Sequence, residues 1–201
     1  MSQSLVILLH GVGSRGADLA TLGQYWQAGM PDTIFVAPDG PFPFDQRPIG
    51  RQWFSVQGVT PENRADRIVA ARSAFDAVIG AIIAEHGFTD RLDRVAFTGF
   101  SQGTIMAYDA ILSGRWPVAA LAAFSGRLSS PAPFAPDIAT KFMVIHGEND
   151  MVIPLAEAVD AQLRLRHLGA EAPLHIVRGL GHSISAEGAS IAGRFLGDCL
   201  T

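Results

Sequence analysis

The chain has 201 residues, enough for one domain with a sizeable core, and a composition of 48% hydrophobic and 17% charged residues excludes a disordered protein. The net charge is −4, and Lys141 is the only lysine. Because there is also no basic run, nucleic acid and anionic membranes are disfavoured as partners.

Two further features of the sequence bear on the cellular compartment of the protein. Cys199 is the only cysteine, so no disulfide can form within the chain, which favours a reducing environment. The apolar run at residues 5–9 is too short for a signal peptide or a membrane span. We therefore expect a cytoplasmic protein without membrane insertion, with residues 1–201 forming a single domain.

Short apolar runs alternate with longer segments of helical period. The runs predict buried strands at residues 5–9, 33–37, 94–98, 118–124, 141–145 and 174–177. Helices are predicted at residues 17–28, 64–86, 104–112, 155–168 and 183–200. Such an alternation predicts an α/β fold, with helices on both sides of a mostly parallel sheet of about six strands.

Two long segments, 39–63 and 126–140, interrupt this alternation, and long loops in compact domains are usually functional or disordered. The first contains Trp53 and Phe54, together with Phe42 and Phe44. This is too much aromatic surface to leave in water. Either the rings wall an apolar substrate pocket, for which Trp53 and Phe54 are the better candidates, or they fill the edge of the core.

The pentapeptide Gly99-Phe100-Ser101-Gln102-Gly103 lies between a predicted strand and a predicted helix. A Gly-x-Ser-x-Gly sequence in that position is typical of a nucleophile elbow, in which a tight turn exposes the serine hydroxyl at the end of the sheet. The glycines allow strand and helix to approach closely. The alternative is a glycine-rich turn with an idle serine, but the flanking elements favour Ser101 as a nucleophile.

A serine nucleophile needs a base and a group that orients the base. Of the six histidines, His182 stands in a glycine-rich loop after the last strand, at the sheet edge where Ser101 is expected. The acid should follow the preceding strand, where Asp150 and Glu148 compete. We favour Asp150, because the apolar segment after it would bury its carboxylate. The order Ser101, Asp150, His182 is that of an α/β-hydrolase.

The tetrahedral intermediate needs hydrogen-bond donors directed at its oxyanion. The backbone N–H of Gln102 is one candidate, and that of Val12, in the glycine-rich loop after the first strand, is the other. A loop of this composition could instead cradle phosphate. It contains no lysine, however, and no acidic ribose partner follows at the expected distance, so the Gly-x-Gly-x-x-Gly match is weak.

These motifs together resemble the small serine carboxylesterase and lysophospholipase family that includes the acyl-protein thioesterases. They occur in one order over almost the whole chain: Leu9-His10-Gly11-Val12-Gly13, Trp53-Phe54, Gly99-Phe100-Ser101-Gln102-Gly103, His146-Gly147-Glu148-Asn149-Asp150 and Gly181-His182. The resemblance implies an α/β-hydrolase fold with no separate cap domain, the triad Ser101, Asp150 and His182, and an oxyanion hole of Val12 and Gln102. It also implies hydrolysis of acyl esters or thioesters without a cofactor or metal, often by a homodimer.

Two departures from the family pattern bear on these expectations. The first strand begins at residue 5, so we expect the N-terminal hairpin usual in this fold to be absent. The segment between Asp39 and Trp53 is short. The sequence therefore does not decide whether the acyl pocket is a long-chain tunnel or a shallow site for small esters.

We predict a serine carboxylesterase for small to medium acyl esters that works through an acyl-enzyme. One alternative is a lysophospholipase or acyl-protein thioesterase with long-chain substrates. Another, of a different class, is a catalytically silent binding module on the same fold.

Overall fold

A computed structural model describes residues 3–136 and 139–201. Its main element is a sheet of six strands, in which every neighbouring pair is parallel. The strands are β1 (Ser4–Leu9), β2 (Thr33–Val36), β5 (Val95–Phe100), β6 (Ala120–Phe124), β7 (Lys141–Gly147) and β8 (Leu174–Val177), in the order β2-β1-β5-β6-β7-β8. The α/β-hydrolase architecture expected from the sequence is confirmed.

In the described residues, five α-helices cover the two faces of the sheet. They are α1 (Gly16–Trp26), α2 (Arg64–Glu85), α3 (Gln102–Leu112), α4 (Leu155–His167) and α5 (Ala186–Leu200). Side chains alternate between two cores: Leu5, Ile7 and Leu9 of β1 pack with α2, α3 and α4, whereas Val6 and Leu8 pack with α1 and α5. Because both faces are covered, β1 has no polar face, and its continuous apolar run follows from this burial.

The predicted loop at 39–63 contains a small hairpin that sequence analysis missed. Its strands β3 (Phe42–Pro43) and β4 (Arg51–Gln52) are antiparallel and only two residues long. Two main-chain bonds join β4 to the loop after β1: Gly13 N–H donates to Arg51 O at 2.8 Å, and Arg51 N–H donates to Ser14 O at 2.8 Å. The hairpin therefore lies at the carboxyl edge of the sheet. The second predicted loop, 126–140, includes residues 137 and 138, which lie outside the described residues.

Candidate active site

Ser101 occupies a sharp turn between the end of β5 and the start of α3. Its backbone angles are φ 53° and ψ −114°, in the left-handed half of conformational space that a non-glycine residue rarely adopts. A backbone of this kind costs on the order of 1–3 kcal/mol and persists only where the surroundings enforce it. Here Ser101 N–H donates to Phe124 O at 3.0 Å, and Ser101 O accepts from Ile105 N–H at 3.1 Å.

The two glycines of the elbow are required by close contacts. A Cβ on Gly103 would lie 2.0 Å from Leu9 O, and one on Gly99 would lie 2.6 Å from Thr104 N. Neither distance is compatible with a side chain, because the carbonyl and amide belong to the sheet and to α3. The elbow therefore has the tight geometry that the pentapeptide predicted, and it directs Ser101 to the carboxyl edge of the sheet.

Asp150 and His182 meet at the same edge. Asp150 Oδ2 accepts from His182 Nδ1 at 2.7 Å, and Asp150 Oδ1 accepts from the N–H groups of Val152 and Ile153, each at 2.9 Å. Burial alone would raise the pKa of Asp150, but the hydrogen bonds from His182, Ile153 and Val152 outweigh it and lower that pKa below its usual value. The carboxylate is therefore ionised at neutral pH, and the imidazole that it holds carries its proton on Nδ1.

Main-chain bonds connect the two loops that carry these residues. Asn149 N–H donates to Leu180 O at 2.8 Å. Glu148, the competing acid, instead accepts from Gly179 N–H at 2.9 Å through Oε2 and is exposed. The structure thus brings Asp150, and not Glu148, to His182.

The His182 ring also packs against Phe100, the residue before the serine, with ring centroids 4.9 Å apart. In the described residues no hydrogen bond joins Ser101 Oγ to His182, whose Nε2 is the nitrogen not engaged by Asp150. Hydrogen bonds of this kind are often long in free enzymes and shorten when substrate binds. The imidazole thus lies beside the elbow and is held through Nδ1 by Asp150.

His146 is a neighbour of Asp150 that sequence analysis did not single out as a site residue. It lies fully buried in β7, and its Nε2 donates to Ile153 O at 2.8 Å and lies 3.4 Å from Asp150 Oδ2. The sequence signal that could have predicted this contact is the position of His146, near the end of a strand and four residues before Asp150. His146 and His182 therefore both face Asp150 Oδ2.

Two backbone N–H groups adjoin the elbow. Gln102 is the first residue of α3, and Val12 lies in the turn after β1. Within the described part of the chain, neither N–H donates a hydrogen bond to another residue. A Cβ on Gly11 would lie 3.3 Å from Ser101 Cβ, which places this turn directly beside the serine. Both N–H groups are therefore available to a negatively charged oxygen near Ser101.

Trp53 and Phe54 are buried, with 0% and 5% of their surfaces exposed. Trp53 packs edge-on against Phe75 of α2, with centroids 5.4 Å apart. This burial favours the interpretation that the two rings fill the edge of the core over the interpretation that they wall a substrate pocket. Phe44 lies against the predicted oxyanion loop, since a Cβ on Gly13 would lie 3.1 Å from its ring.

The arrangement can supply the parts of acyl transfer: a hydroxyl in an elbow, an imidazole oriented by an ionised carboxylate, and two free N–H donors. Across residues 3–136 and 139–201, no group of three or more histidine, cysteine, aspartate or glutamate side chains is placed to hold a metal ion. A sequence model of the family described as phospholipase/carboxylesterase matches residues 1–200.

The chain belongs to the phospholipase/carboxylesterase family. It is 37% identical to "Esterase YpfH" of Escherichia coli (strain K12) over 183 residues, which cover 91% of this chain and 77% of that protein. It is 24% identical to "Acyl-protein thioesterase 1" of Saccharomyces cerevisiae over 173 residues, 80% of this chain and 76% of that one. Among solved structures, that of esterase PE8 superposes with a TM-score of 0.88 at 36% identity and covers 99% of this chain and 94% of the other.

Membership of the phospholipase/carboxylesterase family confirms the resemblance found in the sequence, and with it the expected enzyme class, a carboxylic ester hydrolase. None of the helices in the described residues is long and apolar enough to cross a membrane.

Proposed function

We propose that this family member is a serine carboxylesterase with the triad Ser101, Asp150 and His182. The observation that supports it most directly is the 2.7 Å bond from His182 Nδ1 to a buried, ionised Asp150 at the same sheet edge as a strained Ser101. That bond fixes the tautomer in which His182 Nε2 can accept a proton.

In the proposed reaction, His182 Nε2 takes the proton of Ser101 Oγ as this oxygen attacks the ester carbonyl. The N–H groups of Val12 and Gln102 stabilise the oxyanion of the tetrahedral intermediate. His182 then protonates the leaving alcohol, and the acyl group remains on Ser101. Water, deprotonated by His182, attacks the acyl-enzyme, and His182 returns that proton to Ser101 Oγ as the carboxylic acid leaves.

We further propose small to medium acyl esters as the substrates. Trp53 and Phe54 support this, because both rings are buried in core packing and are not exposed to line an apolar channel for a long chain. Nitrophenyl esters graded from acetyl to palmitoyl test the proposal. Activity should be greatest among the shorter acyl groups, whereas a maximum at palmitoyl would favour the lysophospholipase or acyl-protein thioesterase alternative.

The triad is tested by fluorophosphonate labelling and ester hydrolysis of the wild type, Ser101→Ala and Ser125→Ala. Ser125 is a matched control, because it is also buried and also has a positive φ, of 44°. Ser101→Ala should lose labelling and at least about 10⁴-fold in kcat, and Ser125→Ala should keep both. Absence of labelling in the wild type would favour a catalytically silent module, and labelling of Ser101→Ala would exclude Ser101 as the nucleophile.

A further inference from the structure

We propose that Trp53 is a positioning residue that holds the two oxyanion donors, Val12 and Gln102, at a fixed separation. This inference rests on the proposed function, because it concerns how the proposed oxyanion hole is kept in shape. The two donors belong to different elements, the β1–α1 loop and the start of α3, so their spacing depends on what connects those elements.

The side chain of Trp53 reaches the β1–α1 loop. Its indole Nε1–H donates to His10 O at 2.8 Å, and its ring lies beside the His10 ring with centroids 5.4 Å apart. The carbonyl that it holds is two residues before Val12. Trp53 is fully buried, so this bond is shielded from water and its geometry is constrained by packing.

The His10 side chain fixes the next peptide, Gly11–Val12, which carries the Val12 N–H. His10 is fully buried, its Nδ1 donates to Gly11 O at 2.7 Å, and its Nε2 accepts from Gly40 N–H at 2.8 Å. An Nε2 that accepts must be unprotonated, so the imidazole is neutral, and burial lowers the pKa of His10 accordingly. The chain leading to Val12 is therefore held by Trp53 and by its own histidine.

The main chain at Trp53 reaches the start of α3. Trp53 N–H donates to Gln102 Oε1 at 2.8 Å, and Gln102 Nε2 donates to Phe54 O at 2.7 Å. Both polar atoms of the Gln102 side chain are thus used by two consecutive residues. Gln102 contributes its backbone N–H to the proposed oxyanion hole, and its side chain is hydrogen-bonded to the main chain of residues 53 and 54. The indole of Trp53 in turn bonds to the loop that carries the other donor, Val12.

Trp53 therefore bonds to both elements that carry an oxyanion donor: its indole to the loop that bears Val12, and its main chain to the side chain of Gln102. An oxyanion hole depends on donors placed within about 0.5 Å of the productive geometry, so a loosened connection should reduce transition-state stabilisation more than substrate binding. If the role of Trp53 were only structural, its replacement would lower stability without a selective loss of transition-state stabilisation. The two roles can be separated because the chain contains a second buried tryptophan away from the site.

The experiment compares Trp53→Phe with Trp26→Phe. Trp26 Nε1–H also donates to a main-chain carbonyl at 2.8 Å, that of Ala189, and Trp26 is 4% exposed on α1. Each variant thus loses one buried indole hydrogen bond and retains an aromatic ring. We expect comparable losses of thermal stability, but only Trp53→Phe should lower kcat, by about 10- to 100-fold with KM nearly unchanged.

A trifluoromethyl ketone, whose adduct with the serine places an oxyanion in the hole, provides a second readout. Its affinity should fall in Trp53→Phe by the same factor as kcat/KM, and it should be unchanged in Trp26→Phe. Should Trp53→Phe fail to fold, Gln102→Met removes both side-chain bonds to residues 53 and 54 but keeps the backbone N–H of residue 102. The same loss of kcat and inhibitor affinity is expected for it.

The inference is overturned if the folded Trp53→Phe, or the folded Gln102→Met, keeps wild-type kcat, or if Trp53→Phe and Trp26→Phe lower kcat equally. Failure of the proposed function would look different, because the wild type itself would then not react with the fluorophosphonate or hydrolyse esters.

Discussion

Asp150 Oδ2 lies 2.7 Å from Nδ1 of His182, and the carboxylate that makes this contact has no exposed surface. Hydrogen bonds to this carboxylate lower the pKa of Asp150 despite its burial. The ionised form therefore stabilises the fold at every pH above the unfolded value of about 3.9, and this contribution is lost as the pH falls through the lower folded value.

Asp150→Asn should lower kcat by about 10³- to 10⁴-fold, because the amide no longer selects the tautomer with the proton on Nδ1. It should also lower the free energy of unfolding at pH 7, and this difference from the wild type should shrink toward pH 3. Urea unfolding of both proteins at the two pH values measures this difference in the free energy of unfolding. Asp90→Asn, at an exposed carboxylate, is the control and should change neither quantity. A stability difference that grows on acidification would contradict the prediction.

Gly103→Ala should destabilise the protein by about 1–3 kcal/mol, because the new Cβ would collide with a main-chain carbonyl of β1. Gly80→Ala is the matched control: it is also helical, and its new Cβ would meet only the Trp116 ring at 3.7 Å. Gly80→Ala should raise the free energy of unfolding by up to about 1 kcal/mol through helix propensity. Thermal unfolding of both variants should show changes in stability of opposite sign. A stabilised Gly103→Ala would show that the elbow is not closely packed.

Tyr108→Phe should leave stability unchanged or raise it. Tyr108 lies on α3 with 1% of its surface exposed, and its hydroxyl has no hydrogen-bond partner among the described residues. Burial raises the pKa of this phenol, so the hydroxyl stays neutral and uncompensated. Removing it relieves a desolvation cost of about 1–3 kcal/mol while keeping the ring that stacks on Phe142. Urea unfolding tests this, and a clear loss of stability would mean that the hydroxyl is bound by ordered water.

Those parts of the fold and site that are encoded locally could be predicted from the sequence. The elbow at Ser101 depends on a strand, two glycines and a helix that are contiguous, and β1 could be recognised from one apolar run. Asp150 and His182 could be placed because the carboxyl ends of parallel strands share one edge. Their side-chain contact then follows from the neighbouring positions of β7 and β8 in the sheet.

Features that depend on distant contacts could not be predicted. The hairpin β3–β4 has strands of two residues, too short for a periodic pattern, and it is stabilised by bonds to Gly13 and Ser14 far away in the chain. Trp53 could be a pocket wall or a core residue on sequence grounds, since an aromatic ring in a long loop fits both. Its burial results from packing against Phe75 of α2 and from its bond to His10.

The parallel arrangement of all six strands has a practical use. Lys141 is the only lysine, is exposed and begins β7, whereas the loop bearing Asp150 follows the end of that strand. Chemistry directed at lysine side chains would thus attach a dye or a solid support to the side of the molecule opposite the reacting groups. An enzyme immobilised in this way would present its catalytic edge to the surrounding solution.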